Sequence, residues 1–258
     1  MLKFSANLSL LFTEVDVLER FKLAKQHGFD GIEIQFPYEI APEVFKSHLD
    51  EQGLRCVLFN VAADDLLAGG EGLASVPEKQ AQFKEAVAQT LEYATLLKPE
   101  AINVLPGRCL TPARLSEYQA TFTENLAYAV AAFAPLGIKI VFEAINTYDM
   151  PGFIIHSTQQ QLAILEALNL PDLYLQYDIY HMQKMGEAVA DFIKQHAAQI
   201  GHIQFADCPG RAQPGTGQLD FVTVFSAIIE SGYQGWVGAE YKPMGETKSS
   251  LAWLKSVS

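Results

Sequence analysis

One unit recurs along this 258-residue chain: a helical stretch closes on glycine, and a short apolar run follows within a few residues. It occurs in QHGFDGIEIQF (26–36), EQGLRCVLFN (51–60), PLGIKIVFEAIN (135–146) and SGYQGWVGAEY (231–241). Glycine just past the last helical turn supplies the left-handed residue that ends a helix. An apolar run without alternation suits a strand buried on both faces, the habit of parallel sheets covered by helices. LKFSANLSL (2–10), AINVLPG (101–107), LYLQYDIYH (173–181) and IGHIQFAD (200–207) fit the same spacing, making eight candidate strands. Helical periodicity fills the remainder, at 14–27, 42–52, 79–97, 116–134, 159–168, 187–198, 220–230 and 248–256. This alternation predicts one (β/α)8 barrel domain over 1–258, with a doubly wound open sheet as the competing arrangement. No composition shift or low-complexity segment marks a boundary.

A barrel of this kind builds its site from the segments that follow its strands. The longest of these are 61–77, 106–115, 146–158 and 207–219, so the polar residues at the strand ends carry the argument. The fifth run ends in Glu143 and Asn146, and the sixth carries Asp178 and His181. The seventh carries His202, Gln204 and Asp207, and the eighth ends in Glu240 and Lys242. A carboxylate at the end of a buried strand is costly unless it is paired or binds a cation. Taken singly, each has a plainer reading: Glu240 paired with Lys242, Asp178 capping the next helix, Gln204 merely packed. One such residue on each of four successive strands instead points to a converging set of oxygen ligands for a hard divalent ion, Mg²⁺ or Mn²⁺. His202 reads as lower in the barrel and packed. Arg211, in DCPGRAQPGTG, can meet a substrate carboxylate, with Lys242 and Arg108 as further cations on the rim. AGGEGLA (68–74) reads as a flexible lid that could bring Glu71 to the site.

The bulk properties narrow the partners. A net charge of −12 opposes nucleic acid but not a small anion held by local cations. No GxxxxGK[ST] or strand-bound GxGxxG is present, and PGTG (214–217) is a turn rather than a phosphate loop. No apolar stretch approaches a membrane span, and the N-terminus lacks a long apolar h-region. Cys56, Cys109 and Cys208 are odd in number and widely spaced, which reads as free thiols in a reducing cytoplasm. A homo-oligomer is compatible with such a barrel.

The segments FSANLS, FPY, FEAIN, QYDIYHMQ, GHIQFAD, PGTG and GAEYKP together resemble the hydroxypyruvate isomerase family, which includes the 2-oxo-tetronate isomerases. This is a branch of the xylose-isomerase-like TIM barrels, and the resemblance runs from Phe4 to Trp253. It implies that Glu143 and Glu240 are the acid/base pair and also metal ligands, with Asp178 and Gln204 completing the shell. It implies further that His181 and Arg211 contact the substrate, a small anionic oxo acid whose carboxylate also gives Lys242 a role. Many sugar epimerases of the wider class have His at the position of Gln204, so the amide favours the isomerase branch. The activity implied is interconversion of hydroxypyruvate and 2-hydroxy-3-oxopropanoate. Its alternatives are a four-carbon 2-oxo-tetronate isomerase, a ketose 3-epimerase, a dehydratase of cyclic polyol ketones and a non-catalytic sugar-acid binder. An abasic-site endonuclease, from the same fold family, fits poorly with the charge.

Overall fold

The computed structural model describes residues 2–256. Among them, eight parallel strands pair in chain order: β1 (Lys3–Asn7), β2 (Gly31–Glu33), β3 (Arg55–Asn60), β4 (Ala101–Asn103), β5 (Lys139–Glu143), β6 (Leu173–Asp178), β7 (Ile200–Phe205) and β8 (Trp236–Ala239). β8 returns to β1, with Trp236 beside Lys3 and Ala239 beside Ala6, so no strand edge is left open. That pairing decides for the closed barrel over the open sheet. No helix among the described residues is long and apolar enough to cross a membrane.

The helices are α1 (Val17–Gln26), α2 (Pro42–Gln52), α3 (Gln80–Leu97), α4 (Leu115–Phe133), α5 (Thr158–Leu168), α6 (Ile179–Lys184), α7 (Val189–His196), α8 (Phe221–Glu230) and α9 (Thr247–Ser250). The recurring glycine does what its position predicts: Gly28, Gly53, Gly137 and Gly232 all have φ between +59° and +95°. Other ends are set by side chains. Ser157 and Asp220 cap α5 and α8 by accepting backbone N–H groups of their first turns.

Three boundaries differ from the sequence reading, each for a local reason. β2 and β4 are only three residues long, and Gln35, Phe36 and Leu105 beyond them line the barrel mouth instead. The run 173–181 stops at Asp178, whose Oδ1 accepts the N–H of Tyr180 at 2.7 Å and starts α6. The last helix, expected over 248–256, is the four-residue α9 followed by a 3₁₀ segment, Leu251–Ser256.

The main core lies between the barrel and its helices, while Val57, Leu58, Ala101, Val141 and Trp236 form a separate cluster at the N-terminal end of the barrel interior. Two glycines make room inside. A Cβ on Gly31 would lie 2.6 Å from Val57 and 2.7 Å from Trp236, and one on Gly238 would lie 2.0 Å from Oε1 of Glu33. Gly238→Ala is therefore expected to displace Glu33 and to cost about 1–3 kcal/mol, read as a lower urea midpoint. An unchanged midpoint would mean that the floor can yield.

Candidate active site

Glu143 ends β5, Asp178 ends β6, Gln204 is the penultimate residue of β7, and Glu240 follows β8 directly. Strand closure brings these ends to one mouth, where a cavity of about 540 Å³ is walled by Glu143, His181, Gln204, Arg211, Glu240 and Lys242. Its sides differ. Phe36, Leu66, Leu67 and Leu105, with Ile145 and Met150, make an apolar wall, and the charged groups stand on the other.

Ligand atoms of Glu143, Asp178 and His181 lie within 4.8 Å of one another. Glu240 sits across from them: Oε2 accepts from Nη2 of Arg211 at 2.7 Å, and Oε1 accepts from Asn7 and Gln35 at 3.1 and 3.0 Å. The same Arg211 nitrogen is 3.9 Å from Oδ2 of Asp178. Gln204 faces inward, but its Oε1 accepts from Nε2 of Gln176 at 2.7 Å rather than standing free. Lys242 is exposed at the rim. Of the four expected ligands, Glu143 and Asp178 thus meet directly, while Glu240 and Gln204 are held by other partners.

The electrostatics follow from burial. Desolvation, then the charges of Asp178 and Glu240, push the Glu143 carboxyl well above its ordinary range. Desolvation also raises Asp178, to about 7, against the pull of Arg211. Asp178 divides its oxygens: Oδ1 caps α6, while Oδ2 is buried with no hydrogen-bond partner. Three carboxylates facing one guanidinium leave two excess negative charges when all are ionised. That excess and the orphaned oxygen fit a divalent cation.

His181 is neutral, because burial and then Arg211 hold its pKa well below the ordinary value. Its tautomer can be deduced. Asn146 Oδ1 accepts the N–H of Asp149, and its Nδ2 donates to the Asp149 carboxylate, which fixes the amide on both edges. That Nδ2 lies 2.6 Å from Nδ1 of His181, and the Asn146 backbone N–H also points there at 3.4 Å. Nδ1 therefore accepts, and Nε2 carries the proton. Nε2 is 3.5 Å from Asp178 and 3.8 Å from Glu143, so His181 presents a donor to the cavity, which suits a substrate contact better than a metal bond.

Arg211 occupies a left-handed conformation (φ +56°), a strain tolerated only where neighbours impose it. The Asp207 carboxylate imposes it, accepting the backbone N–H groups of Cys208, Gly215, Thr216, Gly217 and Leu219 at 2.8–3.2 Å. The PGTG turn is thus an anion nest whose anion is the protein's own side chain. The charged residues singled out in the 68–74 and 106–115 segments do not reach the site. Glu71 accepts from Leu110 N and Tyr118 OH, and Arg108 donates to the carbonyls of Gly69 and Pro151. Neither lines the cavity. The sequence reading missed the amides of Asn7, Gln35 and Gln176 and the acid Glu33. Their signal was faint, single polar residues in β1, β2 and β6 or just beyond.

Fold and site together define a barrel enzyme whose acidic residues converge on a small polar cavity at the C-terminal mouth. The xylose isomerase-like TIM barrel family matches residues 21–257. Hydroxypyruvate isomerase of Escherichia coli (strain K12) is 43% identical over 256 residues, covering 98% of each chain. 2-oxo-tetronate isomerase of Cupriavidus necator is 39% identical, over 99% of this chain and 98% of that one. A crystal structure of an AP endonuclease, family 2, from Brucella melitensis is 36% identical and covers 99% of both chains with a TM-score of 0.95. The chain belongs to the xylose isomerase-like TIM barrel family, and it is an enzyme of the isomerase class.

Proposed function

We propose that the chain isomerises small oxo acids, interconverting hydroxypyruvate and 2-hydroxy-3-oxopropanoate, with Glu143 and Glu240 exchanging base and acid roles. The observation that carries this reading is that Glu143 and Glu240 line one cavity, with Arg211 bonded to Glu240 and Nε2 of His181 3.8 Å from Glu143. One glutamate takes a proton from C3 of hydroxypyruvate. The resulting enediolate receives a proton at C2 from the facing glutamate, and the hydroxyl proton passes from O3 to O2. His181 donates to a substrate oxygen as its charge grows. Arg211 binds the substrate carboxylate, and its buried Nε has no partner in the protein.

Glu143, Asp178, Gln204 and Glu240 would hold Mg²⁺ or Mn²⁺. Such an ion polarises the carbonyl and stabilises the developing negative charge. The partner is a small anionic oxo acid, not nucleic acid or a membrane. The cytoplasmic reading rests on three buried, free cysteines.

A second reading follows from volume. About 540 Å³ admits an acid longer than three carbons, such as the 2-oxo-tetronate named for the Cupriavidus relative. Proton NMR in D₂O, with added Mg²⁺ or Mn²⁺, separates the two. Deuterium entry and aldehyde signals are expected from hydroxypyruvate. Turnover of the four-carbon acid alone moves the substrate and keeps the chemistry, while silence with both acids, metal being bound, overturns the isomerase reading.

Arg211→Ala should raise KM for the acid about 10–100-fold, the loss of one charge-assisted contact, with a smaller change in kcat. An unchanged KM would remove Arg211 from substrate binding.

A further inference from the structure

One acid inside the barrel has no place in the chemistry above. Glu33 is fully buried beneath the cavity. Burial disfavours its charge, yet His202, Ser5 and Gln204 together hold its carboxyl below the ordinary range. Oε1 accepts from the Ser5 hydroxyl at 2.6 Å and lies 2.8 Å from Nε2 of His202. Oε2 accepts from Nε2 of Gln204 at 2.7 Å and from Nδ2 of Asn7 at 3.5 Å.

Both oxygens of Glu33 are met by donors, from Ser5, Gln204 and Asn7, and a carboxylate so surrounded accepts from all of them. The edge of the Gln204 amide that faces Glu33 must therefore be its NH₂. Its Oε1 is then turned away, to accept from Nε2 of Gln176 at 2.7 Å. That same Gln176 nitrogen donates to Oε2 of Glu143 at 2.9 Å. On the other branch, Nδ2 of Asn7 is shared between Glu33 and Oε1 of Glu240, 3.1 Å away. Oδ1 of Asn7 accepts the Ser9 N–H, which closes off the flipped amide. Glu33 thus touches two hydrogen-bond chains and sets the direction of one, which runs through Gln204 and Gln176 to Glu143; the other, through Asn7 to Glu240, is set by the Ser9 N–H.

We propose that Glu33, with His202 beside it, is a positioning residue. It fixes which way the Gln204 amide points, and through Gln204 and Gln176 the hydrogen bond that holds Glu143. Stability alone is a poor account of an acid in this place, because a buried carboxylate and its polar partners are often no better than well-packed apolar residues. The kinetic consequence rests on the acid/base reading of the two glutamates, whereas the orientation of the amides does not.

The test uses the Mn²⁺-loaded enzyme. In Glu33→Gln an amide replaces the acceptor-only group and frees Gln204 to flip, while the Ser9 N–H still holds Asn7. The expected result is a kcat about 10–100-fold lower with KM nearly unchanged, and a Kd for Mn²⁺ raised about tenfold. Glu33→Asp, which keeps the acceptor, should recover much of both losses. A folded Glu33→Gln protein with parental kcat and parental Mn²⁺ affinity overturns the assignment. Neutron diffraction on the unsubstituted, deuterium-exchanged protein reads the amide directly and depends on neither variant folding nor activity. The ND₂ of Gln204 against Glu33 is expected, and its oxygen there refutes the proposal. Failure of the parent to turn over either oxo acid, with the amide oriented as expected, would sink the proposed function and leave the positioning role standing.

Discussion

Glu143→Gln and Glu240→Gln are each expected to lower kcat by about three orders of magnitude, within the range spanned by loss of a general acid or base. Neither substitution removes bulk, so the barrel should form normally. For Glu143 the argument goes further. Its carboxyl is buried beside Asp178 and Glu240, and like-charge repulsion with desolvation favours its neutral form. A neutral amide of the same shape relieves that repulsion. Chelator-treated Glu143→Gln should therefore melt at or above the parent temperature while being nearly inactive. The pH dependence has a definite sign. A carboxyl raised by folding costs stability as pH climbs from its unfolded value to its folded one. For Asp178 that window runs from about 4 to about 7. The metal-free parent should lose stability across it, and Glu143→Gln should lose less. Near-parental turnover in either variant would sink the acid/base assignment, and a destabilised Glu143→Gln would refute the account of repulsion.

The second large effect is expected at Asp207. Its carboxylate is 1% exposed and satisfies five backbone N–H groups of the loop that carries Arg211. In Asp207→Ala those amides lose their acceptor at once. Each unsatisfied buried donor costs about 1–3 kcal/mol, but Gly215, Thr216 and Gly217 are exposed and water can reach their amides, which leaves about 2–4 kcal/mol. Melting should fall by about 10 °C. Because Arg211 is held in its left-handed conformation by this loop, KM should also rise, as in Arg211→Ala. Asp207→Asn keeps one oxygen and should fall between. A parental melting temperature for Asp207→Ala would show that the loop stands without its anchor.

Much of this architecture is written locally in the chain. The glycines that end helices and the apolar runs behind them need no distant information; they locate four strands, and apolar runs at the same spacing locate the other four. Glu143, Asp178 and Glu240 are legible for the same reason: each is an acid at or just past the last residue of an apolar strand. Asp178 shows that its two candidate readings do not exclude each other: one oxygen caps α6, and the other has no hydrogen-bond partner. Glu33 was not legible. It is a lone acid inside GIEIQF, and its partners Ser5, His202 and Gln204 come from strands β1 and β7. Only barrel closure brings those strands to it, and spacing along the chain does not encode that meeting. The segment 68–74 failed differently. Its glycines read as a lid, whereas Glu71 and Gly69 are tied to Leu110, Tyr118 and Arg108.

The two-sided cavity also divides labour along the gene. Phe36, Leu66, Leu67 and Leu105 come from the first half of the chain. The acids, His181 and Arg211 all come from the second, beginning at Glu143. Mutations can therefore widen or shorten the oily wall without touching the groups that move protons. A lineage built on this plan can change the length of the acid it accepts largely by drifting at those four positions, Ile145 and Met150 being the part of the wall that lies among the site's own residues.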